Sequence, residues 1–368
     1  MRTSSRARGA LYGLAIGDAL GMPTQMLSRE QIRERWGGLV RGFEPAPAGH
    51  PIAAGRSAGA ITDDTEQAVL LAKLLVKGHG VVDLRELAGA LVSWERDMAG
   101  RGSLDLLGPS TKRAVAALLA GTAPEHAGAS GDTNGAAMRI APVGIAVAVH
   151  LPHLATCSDP ATLRDTVALP ETASVSDSAA VPGVAAHGSL LTLVDHVEAA
   201  SRLTHNTSIA LAGAATVAAA VSAGISGAGV AEATALAVDA ARIAAGRGRW
   251  VAGADVAARI EWAASLVAGR DQAEAADLIY TLVGTSLAAQ ESVPAAFAVL
   301  AAVPHDPWRA CLLAASLGGD CDTIAAMAGA VAGGCEGTAG FPPDAIAVID
   351  AQSLDLGALA AELCALRG

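Results

Sequence analysis

The sequence predicts an all-α fold, a compact multi-helix bundle made by one domain spanning residues 1–368. Three observations lead there. Apolar residues recur at helical spacing along most of the chain, no run of alternating β-branched residues reads as a strand, and no linker separates two cores. Composition agrees: the chain is 52% hydrophobic but only 3% aromatic, with a mean hydropathy of +0.41. Its core must therefore be assembled from Ala, Leu, Val and Ile, and small side chains let helices approach closely. No internal repeat is visible.

Residues 8–20 read as a first helix, stopped by Gly21 and Pro23. The stretch 37–59 is rich in Gly and Pro and reads as a long loop. Residues 63–77 carry apolar positions at helical spacing and end before Gly78; 84–98 and 110–119 follow as further helices. A polar, glycine-rich loop at 128–135 precedes an apolar run over 136–150. Residues 157–186, with scattered Pro, Ser and Asp, read as a surface excursion. From 187 onward the pattern is nearly continuous helix, broken at 246–248, 304–307 and 333–343.

Residues 209–231 carry no charge and are long enough to cross a bilayer. They are mostly Ala, Gly and Ser, so the expectation is a buried helix, or two joined at 224–229, and no membrane partner. A net charge of −11 excludes a nucleic-acid backbone as partner, because binding one needs clustered cations. Arg2, Arg6 and Arg8 precede no signal-like apolar segment. The five cysteines show no CxxC spacing and are odd in number, the expectation for free thiols in a reducing cytoplasm.

Chemistry concentrates in two acidic clusters, Thr62-Asp63-Asp64-Thr65 and Asp320-Cys321-Asp322-Thr323, each where a turn becomes an Ala-rich helix. Helix capping accounts for either one alone: Asp63 and Glu66 have capping-box spacing, and acids favour a helix N-terminus. Two adjacent aspartates exceed what a cap needs, and they do not share one helix face. Alternation across Cys321 aims Asp320 and Asp322 the same way. In a chain only 17% charged, the two clusters together offer Thr62, Asp63, Asp64, Asp320, Asp322 and Thr323 as hard oxygen ligands. Such a set suits Mg²⁺, Mn²⁺ or Ca²⁺, and two octahedral ions sharing it would leave positions for water and substrate hydroxyls.

Two polar loops frame a substrate or are simple turns: Ser130-Gly131-Asp132-Thr133-Asn134-Gly135, with backbone amides suited to a phosphate or sugar, and Thr204-His205-Asn206-Thr207. Gly17-Asp18-Ala19-Leu20-Gly21 reads as no more than a helix end. Few aromatics are on hand to stack a base; Tyr12, Trp36, Phe43, Trp94 and Trp308 are the candidates.

In their order along the chain, the segment from Gly13 to Gly21, Thr62-Asp63-Asp64-Thr65, Asn134-Gly135-Ala136-Ala137-Met138-Arg139, Thr204-His205 and Gly318-Gly319-Asp320-Cys321-Asp322-Thr323 resemble the ADP-ribosylglycohydrolases, which include the dinitrogenase-reductase-activating glycohydrolases. The resemblance spans residues 9–334. It implies an all-α domain with two Mg²⁺ or Mn²⁺ ions held by Thr62, Asp63, Asp64, Asp320, Asp322 and Thr323, Asp322 bridging. It also implies substrate-facing roles for the loop from Gly131 to Met138, including Asn134 and Gly135, and for His205.

Many members of that family place a glutamate shortly after the first glycine-flanked turn, where this chain has Gln25, a neutral amide that cannot serve as a base. Glu30 substitutes only if its loop folds back; otherwise the base is Asp64 or Asp132. The resemblance thus implies hydrolysis of an N- or O-glycosidic bond at C1 of a ribose, with Asp64, Asp132 and Asp322 as catalytic acids and an ADP-ribosylated protein or a small ribosylated molecule as substrate. A nucleoside or nucleotide hydrolase, a non-catalytic ADP-ribose binder and a dinuclear phosphohydrolase are the other readings.

Overall fold

The computed structural model describes residues 2–100, 108–151 and 182–367. Helices follow one another as α1 (Arg2–Gly21), α2 (Arg29–Trp36), α3 (Asp63–Lys77), α4 (Leu84–Gly100), α5 (Pro109–Leu119), and the short α6 (Pro124–Ala127), α7 (Gly135–Met138) and α8 (Ala141–Ala146). Then come α9 (Pro182–Ser201), α10 (Ser208–Ser226), α11 (Val230–Ala244), α12 (Val256–Val267) and α13 (Gln272–Leu278), which runs into a π-helical turn at Ile279–Val283. The chain closes with α14 (Ala289–Ala302), α15 (Pro307–Ala315), α16 (Cys321–Glu336), α17 (Pro343–Asp350) and α18 (Leu356–Ala365). No strand forms among the described residues; Thr133 with Ala288 and Thr207 with Arg249 make isolated bridges only.

Local chemistry explains many of the helix starts. Proline occupies the first turn of α5, α8, α15 and α17, where its missing N–H costs nothing. Ser28 makes a full capping box on α2, and Thr207, Asp255, Asp271 and Asp306 cap α10, α12, α13 and α15. The uncharged segment becomes α10 and the start of α11, parted at 227–229, and the most apolar 18-residue stretch of α10 is wholly buried in the protein. It is a core helix, packed on α8, α9, α11, α14 and α16.

Three expected boundaries move. The apolar run over 136–150 is split into α7 and α8, with Pro142 in the first turn of the second. Residues 157–181 of the expected excursion lie outside the described residues, and its last part is already α9. The break expected from Gly333 begins only at Gly337, whose φ of 81° stops α16. Gly334 faces Val221 of α10 at ordinary contact distance, and Gly333 is inside the helix for a packing reason.

That reason is the crossing of α1 and α16, the most extensive helix pair in the molecule. Gly9, Gly13, Gly17 and Gly21 recur every four residues and form a bare stripe on α1. Running the opposite way, α16 sets Gly333, Gly329, Ala325 and Asp322 against it. A Cβ at Gly13 would lie 2.0 Å from the Gly329 carbonyl oxygen, one at Gly9 2.2 Å from that of Gly333, and one at Gly21 2.2 Å from Asp322 Cα. The two backbones touch, and the aspartates of both helices are drawn to one place.

Candidate functional site

Asp18 sits on α1, fully buried, and its carboxylate caps a different helix. It accepts from the amide of Thr62 at 2.9 Å, the amide of Thr65 at 3.1 Å and the Thr65 hydroxyl at 2.5 Å. The capping expected of Asp63 and Glu66 is therefore done by Asp18 from outside and by Thr62, the N-cap residue, whose Oγ1 accepts from Asp64 N–H at 3.4 Å. This frees Asp63 and Asp64 from capping. Asp320, the N-cap position of α16, makes no cap bond either and accepts instead from Asn134 Nδ2 at 2.5 Å. Gly318 and Gly319, with φ of 90° and 76°, turn the chain tightly into Asp320; a Cβ on Gly319 would strike the Thr285 carbonyl oxygen at 2.3 Å.

The two acidic clusters meet. Asp18, Asp64 and Asp322 each bring one carboxylate oxygen within 4.8 Å of the other two. Thr323 Oγ1 donates to Asp64 Oδ2 at 3.3 Å, and Thr62 Oγ1 donates to the same atom at 3.1 Å. Asp63 accepts from Gln67 Nε2 at 3.1 Å. Asp63, Asp64, Asp320, Asp322 and Thr323 line one cavity with Gln25, Met26, Ile52, Gly108, Pro109, Thr133, Asn134, Gly135, Met138 and Leu287. Cys321 is turned away toward Thr24, 3.2 Å off.

Five buried carboxylates in one place repel one another. Burial first, and then the charges of their neighbours, hold Asp63, Asp64 and Asp322 well above the usual carboxylate range. Burial pushes Asp320 up to about 6 against the hydrogen bond from Asn134, and raises Asp18 against those from Thr65 and Thr62. Two oxygens, Asp64 Oδ1 and Asp322 Oδ1, are buried without any hydrogen-bond partner. Orphaned acceptors on crowded acids are what a bound cation would satisfy, and an all-oxygen donor set fits a hard divalent ion. This cluster could hold a metal.

Beside the acids, Asn134 is oriented unambiguously. Its Nδ2 donates to Asp320 and, at 3.0 Å, to Ser292 Oγ, whose own proton goes to the Ala288 carbonyl. Both amide protons are spent, so Oδ1 is the atom left to accept from a ligand. Behind the cavity runs a polar chain whose directions follow from Thr133, which gives its only proton to Ser110 Oγ at 2.9 Å. Thr133 Oγ1 must then accept from His205 Nε2–H at 3.0 Å, so the Nδ1 of the neutral ring accepts from Thr204 Oγ1 at 2.7 Å. Arg139, which can only donate, donates to Thr204 Oγ1 and to Gln67 Oε1.

Burial, with the charges of Arg139 and Arg113, holds His205 well below the ordinary histidine range, and it is neutral. Histidines in an unfolded chain bind protons near pH 6.5. The folded state, with the lower pKa, binds fewer, so its stability is present above about pH 6.5 and lost as pH falls. His205→Gln is expected to flatten this: the stability gap between wild type and variant, from urea midpoints, should narrow between pH 7.5 and pH 5. An unchanged gap would contradict the assignment.

The structure gathers some expected residues and leaves others apart. Gln25, Asn134, Gly135 and Met138 line the cavity, while Thr62 is buried beside Asp64 and outside the lining. His205 is buried behind Gly135, where a Cβ would lie 2.8 Å from its ring. Gly131 packs on the Thr204 carbonyl instead of the cavity, and the Asp132 carboxylate is 60% exposed, 3.7 Å from Arg113. Glu30 is exposed on α2.

None of the expected stacking aromatics lines the cavity. The core and its contacts claim most of them: Tyr12 is buried and donates to Asp350, Trp94 donates to Glu66, and Phe43 packs edge-on to Trp308 at 6.1 Å. The sequence alone marks Asp18 only as part of a helix end. Its signal was a lone acid between glycines inside an apolar helix. Cys311, Cys321, Cys335 and Cys364 are free thiols; Cys157 lies outside the described residues.

Comparison with known proteins bears on this geometry. The model of the ADP-ribosylglycohydrolase family matches residues 1–175 and 171–368. The uncharacterized protein YegU of Escherichia coli K12 is 32% identical over 370 residues, 99% of this chain and 98% of its own. The ADP-ribosyl-[dinitrogen reductase] glycohydrolase of Rhodospirillum rubrum is 30% identical over 156 residues, covering 39% of this chain and 46% of that one. A solved chain described as an ADP-ribosylglycohydrolase-related protein complex shares the fold, with a TM-score of 0.66 and 22% identity over 100% of this chain and 99% of that chain.

Proposed function

The chain belongs to the ADP-ribosylglycohydrolase family, and from that premise we propose that it is a metal-dependent hydrolase cleaving the glycosidic bond at C1 of an ADP-ribosyl or related ribosyl group. The observation that carries this reading is the buried cluster of Asp18, Asp64 and Asp322, with the orphaned Oδ1 atoms of the latter two facing no protein donor. We assign two Mg²⁺ or Mn²⁺ ions to Thr62, Asp63, Asp64, Asp320, Asp322 and Thr323, with Asp18 joining the set. When bound, such ions supply the positive charge that the carboxylates lack and an anchor for vicinal hydroxyls.

The protein's own groups do the rest. Asn134 Oδ1 accepts from a ribose hydroxyl and fixes the sugar's orientation. Gln25, neutral and buried at the cavity edge, orients by hydrogen bonding and takes no proton. Asp64 removes the proton from the attacking water as its oxygen bonds to C1, and the bond from C1 to the leaving nitrogen or oxygen breaks with its electron pair going to the leaving group. The acids nearby stabilise the positive charge that builds on the ribose ring in an oxocarbenium-like transition state.

The test is a screen of ribosylated substrates, including ADP-ribosylated protein and nucleosides, with and without added Mg²⁺ or Mn²⁺, with products identified by mass. Metal-dependent release of ADP-ribose or ribose is expected. Phosphate release would instead identify a phosphohydrolase, and binding without any product a non-catalytic binder.

A further inference from the structure

Met26 is 50% exposed, whereas the other residues lining the cavity are buried or half-buried. Its φ is +59°, a left-handed conformation in which a long side chain is strained. The strain is imposed by a reciprocal clamp: Met26 N–H donates to the Gly319 carbonyl at 2.6 Å, and Gly319 N–H donates to the Leu27 carbonyl at 2.9 Å. The turn bearing Met26 is thereby tied to the turn that delivers Asp320. Glycine would fit this backbone without strain, and the chain has 41 of them. The position holds a methionine all the same, projecting at the cavity mouth.

The cavity has two chemical sides. Asp63, Asp64, Asp320, Asp322 and Asn134 make a polar side suited to hydroxyls; Met26, Ile52, Pro109, Met138 and Leu287 make an apolar one. A flat, polarizable group reaching the mouth meets no aromatic ring among the described lining residues, but it does meet the Met26 thioether. Sulfur packs favourably on aromatic rings, and methionine's flexible chain adapts to their shape. We propose that Met26 is a specificity-determining residue that packs its thioether against a flat nitrogen heterocycle carried by the ribosylated substrate. The proposal rests on the ribosyl reading of the acidic side, but binding alone tests it.

The experiment is calorimetric titration of the full chain in Mg²⁺, with ADP-ribose and with ribose 5-phosphate, for wild type, Met26→Ala, Met26→Leu and Met26→Gly. Met26→Ala is expected to weaken ADP-ribose binding about tenfold and leave ribose 5-phosphate within about twofold, while Met26→Leu retains most of the ADP-ribose affinity. Met26→Gly should melt at a higher temperature than wild type and bind as poorly as Met26→Ala, separating the ligand contact from stability. The proposal is overturned if wild type gains nothing from the heterocycle, if both ligands weaken alike, if Met26→Ala binds ADP-ribose as wild type does, or if Met26→Gly melts lower. Loss of the hydrolase reading would show as absent turnover with this binding difference intact.

Discussion

Asp322→Ala is expected to abolish metal-dependent turnover, by at least about 10²–10³-fold, while leaving helicity nearly intact. Asp322 lines the cavity, shares the cluster with Asp18 and Asp64, and carries a buried oxygen that no protein donor satisfies. The isosteric Asp322→Asn separates charge from shape. Without divalent ions it should unfold at a higher temperature than metal-free wild type, because one of five mutually repelling buried carboxylates is gone. With Mg²⁺ or Mn²⁺ the order should reverse, since only wild type gains from binding. Full activity in Asp322→Ala, or an equal metal-induced rise in melting temperature for both proteins, would refute the metal site.

Gly13→Ala should be as damaging to stability as Asp322→Ala is to turnover. Its added Cβ would fall 2.0 Å from the carbonyl oxygen and 2.6 Å from the carbonyl carbon of Gly329, both backbone atoms that no rotamer change can move. Alanine's better helix propensity returns only about 1 kcal/mol. A net loss of roughly 3 kcal/mol or more in chemical denaturation is expected, with loss of activity as α1 is pushed off α16. Gly89→Ala, on an exposed face of α4 with nothing within 4 Å, is the control and should stabilise by about 0.5–1 kcal/mol. If both alanines behave alike, the crossing does not depend on bare backbone contact.

Much of this architecture was legible in the residues because helical periodicity and oxygen-rich clusters are local signals. Asp63 and Asp64 stood out since a cap uses one acid and here there were two. The signals that failed were those with two physical meanings. Gly333 suggested a break, but a glycine marks either a turn or a close approach, and only the facing Gly9 decides which. Asp18 looked like a helix end because its partners, Thr62 and Thr65, lie more than 40 positions away. Gly131 and Asp132 sit in the same loop as Asn134 and Gly135, yet one packs on Thr204 and the other points to Arg113. Composition could not foresee that the core and its contacts would claim most of the candidate aromatics and leave the cavity mouth to methionine.

The glycine crossing also has a consequence for how the protein is made. Asp18 and Asp322 lie 304 positions apart, so synthesis completes the first long before the second exists. Until then the bare face of α1 has no partner, and no triad of carboxylates can assemble. Contacts between such distant segments are entropically late to form. Ions bound as proposed would need both helices docked, and interactions absent from the folding transition state slow unfolding while leaving folding speed alone. The acidic centre would then act as a closing latch on the completed chain, so that metal supply governs how long the native protein lasts more than how fast it is formed.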